Sequence, residues 1–263
     1  MSVNILFIAD IVGKPGRRAV AEIVPHLISQ YKLQLCIANG ENAAGGFGIT
    51  ERVIRELCKS GVDVITSGNH LWDRREIFDI LDQDPCLLRP ANYPPQVPGR
   101  GSSVFRALGD VPVGVLNLQG RVFMQEIDCP FRVADRELET LRKLTKVIVV
   151  DMHAEATSEK VAMGYYLDGQ VSAVIGTHTH VQTADACILP GGTAYITDAG
   201  MTGPHDSIIG IKKKAILRRF LTQLPTRFET ATGDIKLCGV VVGVDEDTGK
   251  AKAVHRLRIN LRD

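Results

Sequence analysis

Nothing in this sequence reaches the roughly 18 to 20 uninterrupted apolar residues of a membrane-spanning helix, so no segment is expected to cross a bilayer. The first ten residues, Met1 to Asp10, hold only a short apolar stretch, with no basic leader and no small-residue cleavage site. They read as a strand rather than a signal peptide, and a cytoplasmic protein is the expectation. An excess of either charge is also missing: Lys plus Arg number 31 against 30 Asp plus Glu, a net charge of +1. No global field then draws nucleic acid or an anionic membrane, no stable nucleic-acid complex is expected, and any phosphate selectivity must be local. The six cysteines, Cys36, Cys58, Cys86, Cys129, Cys187 and Cys238, form no C-x-x-C and no Cys/His knuckle. That argues against structural zinc and a redox pair, and predicts buried thiols in a reducing compartment. Repeats, low-complexity tracts and linkers are absent as well. A chain of 263 residues, 44% hydrophobic and 23% charged, is therefore read as one domain whose core needs no disulfides.

What is present is a βαβ rhythm. Asn4 to Ala9, Leu35 to Ala38 and Val64 to Ser67 are apolar strand candidates. Between and after them, Arg17 to Tyr31, Thr50 to Ser60 and Arg74 to Leu81 carry helical patterns, the second opening on a cap-like Thr50. After a Pro-rich stretch, Ser103 to Ala107 and Val113 to Asn117 flank a Gly-Asp-Val-Pro turn and should pair antiparallel. Helices are predicted at Ala134 to Lys143, near Ser158 to Leu167 and at Lys212 to Leu221. Further strands are predicted at Val147 to Val150, Val171 to Ile175, Ala194 to Thr197, Arg227 to Ala231, Leu237 to Val244 and Ala251 to Arg258. This is an α/β pattern built on one mixed sheet or two packed sheets. Two segments with little regular patterning, Gln119 to Arg132 and Met201 to Ile211, are candidates to overhang a site.

Polar groups collect at the strand ends. The first strand ends in Asp10, the second runs into Gly40-Glu41-Asn42, and the third into Gly68-Asn69-His70. Later strands end in Asp151-Met152-His153 and in Gly176-Thr177-His178-Thr179-His180. Carboxyl ends of parallel strands converge on one crevice, so these groups should meet. Carboxylates, Asn amide oxygens and imidazoles without a thiolate suit Mn, Fe or Zn better than Mg or Ca. Two ions can sit about 3.5 to 4 Å apart if one carboxylate bridges them, and Glu41 is the central choice.

Gly68-Asn69-His70, an isolated His153 and the Gly-x-His-x-His of Gly176 to His180 occur in the order found in calcineurin-like metallophosphoesterases. Gly40 to Ala44, His153 to Lys160 and Gly176 to Thr183 resemble more closely the YmdB-like bacterial phosphodiesterase branch, and the resemblance spans essentially the whole chain. The sequence departs from the wider superfamily where the branch does. Asp10 is followed by Ile11 and Val12 instead of a histidine, Glu41 stands for the usual bridging Asp, and Leu71-Trp72-Asp73 follows His70. The resemblance implies a sandwich of two mixed β-sheets flanked by α-helices, as a single metallophosphoesterase domain over residues 1–263. It also implies a dinuclear Fe or Mn centre, with Zn compatible, that cleaves 2′,3′-cyclic nucleotides with a metal-bridging hydroxide. One ion, divalent or in a mixed-valence pair, would take Asp10, Glu41, Asn42 and His180, with Asn42 supplying the ligand lost at Val12. The other would take Glu41, Asn69, His153 and His178. His70 would face the scissile phosphate as acid or electrostatic brace.

Singly, each feature has a plainer reading. Asp10 could be a turn residue, and two histidines at i and i+2 can arise by chance among seven. Five such motifs in order, each closing an apolar run, are hard to obtain by accident. His26 and His255 are expected to be structural, His205 a solvated loop residue, and the run Lys212 to Lys214 with Arg218 and Arg219 a solvated helix face. Gly13 to Arg18 lacks phosphate-loop spacing and is read as a turn into a helix. A phosphomonoesterase on the same metals, or a slow nucleotide- or metal-sensing protein, are the rival readings. Homo-oligomers are compatible with all of them, although no patch can be assigned to an interface.

Overall fold

The apolar runs pair into two sheets in the computed structural model, which describes residues 2–262. β1 (Ser2–Ile8), β2 (Asp10–Ile11), β3 (Leu35–Asn39) and β4 (Val64–Thr66) enter the first sheet. β5 (Ser102–Arg106), β6 (Pro112–Gln119), β7 (Val147–His153), β8 (Ala173–Thr177), β9 (Cys187–Ile188) and β10 (Ala194–Ile196) make the second. The chain then returns to the first sheet with β11 (Met201–Pro204), β12 (Ile235–Asp245) and β13 (Ala251–Asn260). Strand order is β2-β11-β12-β1-β3-β4 in the first sheet, with β13 also paired to β12, and β5-β6-β7-β8-β10-β9 in the second. Parallel pairing links β1, β3 and β4, and again β6, β7, β8 and β10, whereas β5 and β6 form the expected antiparallel pair.

Helices α1 (Gly13–Tyr31), α2 (Glu51–Lys59), α3 (Ile77–Ile80), α4 (Pro130–Leu141), α5 (Thr157–Tyr166) and α6 (Lys213–Thr222) complete the order. Strand alternation sorts side chains into three apolar layers. Val3, Ile5 and Phe7 of β1 meet Val113, Val115, Val147 and Val149 between the sheets, while Leu6 and Ile8 face Val20, Val24 and Leu27 of α1. On β7, Ile148, Val150 and Met152 turn the other way, toward Leu138 and Leu141 of α4 and Met163 of α5. Because both faces of the central strands are buried, they read as continuous apolar runs instead of alternating ones. At α2, Thr50 caps the helix by accepting a 3.4 Å hydrogen bond from the Val53 amide, and Val53, Ile54 and Leu57 form its buried stripe.

Several expectations change. The Arg227 to Ala231 segment is no strand; Thr230 bridges Ile211 and only Phe228 lines a cavity, so the alternation records one apolar side chain turned toward that cavity. The helix expected over Arg74 to Leu81 shrinks to α3, preceded by a short helical turn over Asn69–Asp73. α1 begins at Gly13, so Gly13 to Gly16 lies inside its first turn. Met201 to Pro204, read as loop, is the buried strand β11, made by its neighbours: Thr202 Oγ1 hydrogen-bonds the Cys238 carbonyl at 3.0 Å. Of the cysteines only Cys36 and Cys238 are buried, and Cys187 is exposed. Among the described residues, no helix is long and apolar enough to cross a membrane.

Candidate metal centre

The ends of the parallel strands bring the polar motifs together. Asp10 opens β2, Glu41 and Asn42 follow β3, and Asn69 and His70 start the turn after β4. His153 ends β7, and His178 and His180 follow β8, so the second sheet contributes these three imidazoles and the first sheet the oxygens and His70. Gly68 lets them approach: a Cβ there would lie 2.1 Å from His153 Nε2 and 2.5 Å from Glu41 Oε2, so any side chain would push the cluster apart.

Two groups result. Around His153 Nε2 stand Asn69 Oδ1 at 3.2 Å, His178 Nδ1 at 3.1 Å and Glu41 Oε1 at 3.2 Å. The second group holds Asp10, whose Oδ1 is 3.9 Å from His180 Nε2, with Asn42 Nδ2 3.3 Å from the same imidazole nitrogen. Glu41 touches both, since its Oε1 also accepts from Asn42 Nδ2 at 2.9 Å. Asn42 thus presents its nitrogen, and a half-turn of the amide would present its oxygen in nearly the same space. His70 stands apart: its amide donates to Glu41 Oε2 at 3.0 Å, while its ring lies against Asp73 Oδ2 at 2.9 Å through Nδ1.

The outer nitrogen of each clustered imidazole is already engaged. Thr177 Oγ1 donates to Asp151 Oδ1 at 2.7 Å, so its hydroxyl can only accept from His153 Nδ1, 2.9 Å away. His178 Nε2 meets Glu155 Oε2 at 3.1 Å, and His180 Nδ1 meets the Ile209 carbonyl at 3.0 Å. In its neutral form each imidazole would carry its proton on this outer nitrogen and turn a lone pair inward. The His153 and His178 lone pairs confront the Glu41 carboxylate and the Asn69 amide oxygen, the His180 nitrogen meets the Asn42 amide nitrogen, and Asp10 Oδ1 is buried with no hydrogen-bond partner. Acceptors facing acceptors repel unless a cation lies among them, so this donor set fits a metal ion. The Glu41, His153 and His178 ligand atoms all lie within 4.8 Å of one another.

Protonation follows the same logic. Burial pushes the Asp10 carboxyl up. For Glu41, burial is outweighed by the charge and hydrogen bond of His153, which hold the carboxyl well below the usual range. Burial would lower His153, yet Glu41 and Asp10 raise it to about 9. Burial and the neighbouring His153 drive His178 down to about 3.

Sequence reasoning missed the supports. Asp198 and Lys160 form a fully buried pair at 2.7 Å, and Asp198 Oδ2 also accepts from the Thr179 amide at 3.0 Å and its hydroxyl at 2.6 Å. Thr179 sits between His178 and His180, both held at positive φ, 95° and 65°, a conformation that needs such clamping. Nothing in an amphipathic helix marks Lys160 as buried. The hydroxyls of Thr177 and Thr179 were the available signal. His26 and His255 are exposed, and His205 pairs with the Met201 carbonyl, outside the cluster.

The cluster floors a cavity of about 440 Å³ that has no Lys or Arg in its lining. Ile209 and Ile211 from the 201–211 segment reach it, whereas no residue of 119–132 does. Arg121 and Val122 amides are tied instead to Glu159 on α5.

Two mixed sheets packed face to face, flanked by helices, with carboxylates and imidazoles at one edge, define a metallophosphoesterase-type protein. The chain belongs to the YmdB-like protein family, whose family model matches residues 6–257. It is 53% identical over 257 residues to the 2′,3′-cyclic-nucleotide 2′-phosphodiesterase of Bacillus subtilis (strain 168), covering 98% of this chain and 97% of that protein. Among solved structures, a hypothetical protein from Thermus thermophilus superposes with a TM-score of 0.92 at 43% identity, covering 98% of this chain and 99% of that one. A novel phosphatase from Mycoplasma pneumoniae gives 0.93 at 34% identity, covering 99% and 94%.

Proposed function

We propose that this chain is a dinuclear-metal phosphodiesterase that hydrolyses small phosphate diesters, 2′,3′-cyclic nucleotides foremost. The observation that carries the reading is the set of three imidazoles, each with its outer nitrogen engaged and its lone pair turned toward Asp10, Glu41 and Asn69. Asp10, Glu41, Asn42 and His180 would hold one ion, and Glu41, Asn69, His153 and His178 the other. Nitrogen and oxygen donors without thiolate suit Fe or Mn, with Zn also accommodated. Bound there, the ions supply Lewis-acid charge neutralisation and an activated water.

The remaining work falls to the chain. The cavity lining offers no Lys or Arg to an incoming phosphate, which fits charge neutralisation by metal. His70, with Nδ1 fixed on Asp73, keeps Nε2 for the cavity and delivers its proton to the ribose oxygen that leaves. A phosphomonoesterase is the second reading, favoured by the name of the Mycoplasma pneumoniae neighbour. Rates on metal-replete protein separate the two. A 2′,3′-cyclic nucleotide should exceed a nucleoside monophosphate and an acyclic diester in kcat/KM by roughly 10-fold or more. Preference for the monoester would overturn the diesterase reading.

A further inference from the structure

Half of the cavity is apolar for no reason that phosphate chemistry supplies. Val12, Phe47, Ile209, Ile211, Ile216 and Phe228 line it beside the polar floor. Phe47 is set in Gly45-Gly46-Phe47-Gly48, where all three glycines adopt positive φ, +74°, +102° and +73°. A Cβ on Gly48 would lie 2.6 Å from Arg74 Cγ. The same arginine fastens the loop, its Nε donating to the Phe47 carbonyl at 3.1 Å and its Nη2 to the Ala44 carbonyl at 2.6 Å. Thr230 Oγ1 adds a 3.1 Å bond to the Gly45 carbonyl.

So rigid a mount for a half-buried aromatic ring that joins none of the apolar cores has no packing purpose. Elsewhere in the lining, Phe228 is 38% exposed and Ile209 53%, whereas Ile211 and Ile216 are buried. The Phe47 ring lies edge-on to His70 with centroids 5.1 Å apart, so the apolar wall adjoins the group that serves the leaving oxygen.

We infer that this wall, with Phe47 and Phe228 as its aromatic members, is a nucleobase subsite that holds the base by its faces. The inference rests on the diesterase reading of the same site. In a 2′,3′-cyclic nucleotide the base is on the carbon next to one that bears a phosphate oxygen, so its pocket must adjoin the reacting phosphorus, as this wall does. None of the six side chains carries a hydrogen-bonding group, so base edges are not read, and purines and pyrimidines are both accepted. Stacking of this kind tolerates any base because each has a π-face.

The test compares 2′,3′-cyclic AMP with glycerol 1,2-cyclic phosphate, a five-membered cyclic diester that lacks a base. In Phe228→Ala the ratio of kcat/KM between the two should collapse by on the order of 10-fold, through KM for the nucleotide, and Phe228→Trp should restore it. Equilibrium binding of adenosine 3′-monophosphate against glycerol phosphate should show the same loss of preference. An unchanged ratio, or equal losses on both esters, would overturn the subsite. If the wild-type protein cleaves neither ester, the diesterase reading fails, and the binding comparison alone decides whether the wall takes a base.

Discussion

His70→Ala should lower kcat by roughly 10²- to 10⁴-fold, the usual worth of a positioned proton donor, and leave the metal content of the proposed dinuclear centre unchanged. The second half of that expectation follows from geometry: the ring reaches Asp73 and the cavity, and only the His70 backbone amide touches Glu41. The size of the defect should track the leaving group. A nitrophenolate departs without help, whereas a ribose alkoxide is strongly basic and needs the proton. General-acid loss therefore slows the cyclic nucleotide far more than a nitrophenyl ester; electrostatic bracing would slow both alike. Loss of an ion on purification, or wild-type rates on both substrates, would remove His70 from this role.

Lys160→Met should cost about 3 to 5 kcal/mol of folding stability, because it leaves Asp198 charged and buried without its partner. Both side chains are almost wholly enclosed, at 1% and 0% exposure. Damage should also reach the site, since Asp198 clamps Thr179 between the two histidines. Denaturant midpoints of the metal-free variant and its parent measure the first effect, and metal affinity the second. A stability change within about 0.5 kcal/mol would place this pair among the energetically neutral ones.

The parallel strands were legible because burial on both faces leaves uninterrupted apolar runs, as in Val147 to Val150. The polar cluster was legible because its members close those runs. What resisted reading depends on partners far away in sequence. β11, with Gly203 and Pro204 in a four-residue strand, has little strand propensity of its own and is held by Cys238 and Asp10, while Lys160 is buried where Asp198 meets it. Phe228 alternates like a strand residue yet faces a cavity. The orientation of Asn42 is a matter of which atoms surround it, which no spacing reveals.

Titrating metal-stripped protein with Mn or Fe while following hydrolysis of a 2′,3′-cyclic nucleotide tests the central claim most directly. Asp10, Glu41 and the three imidazoles, divided into two groups that share Glu41, predict activity that climbs from near zero and breaks at two equivalents per chain. Full activity in the stripped protein, or a break at one equivalent, would contradict a dinuclear phosphodiesterase.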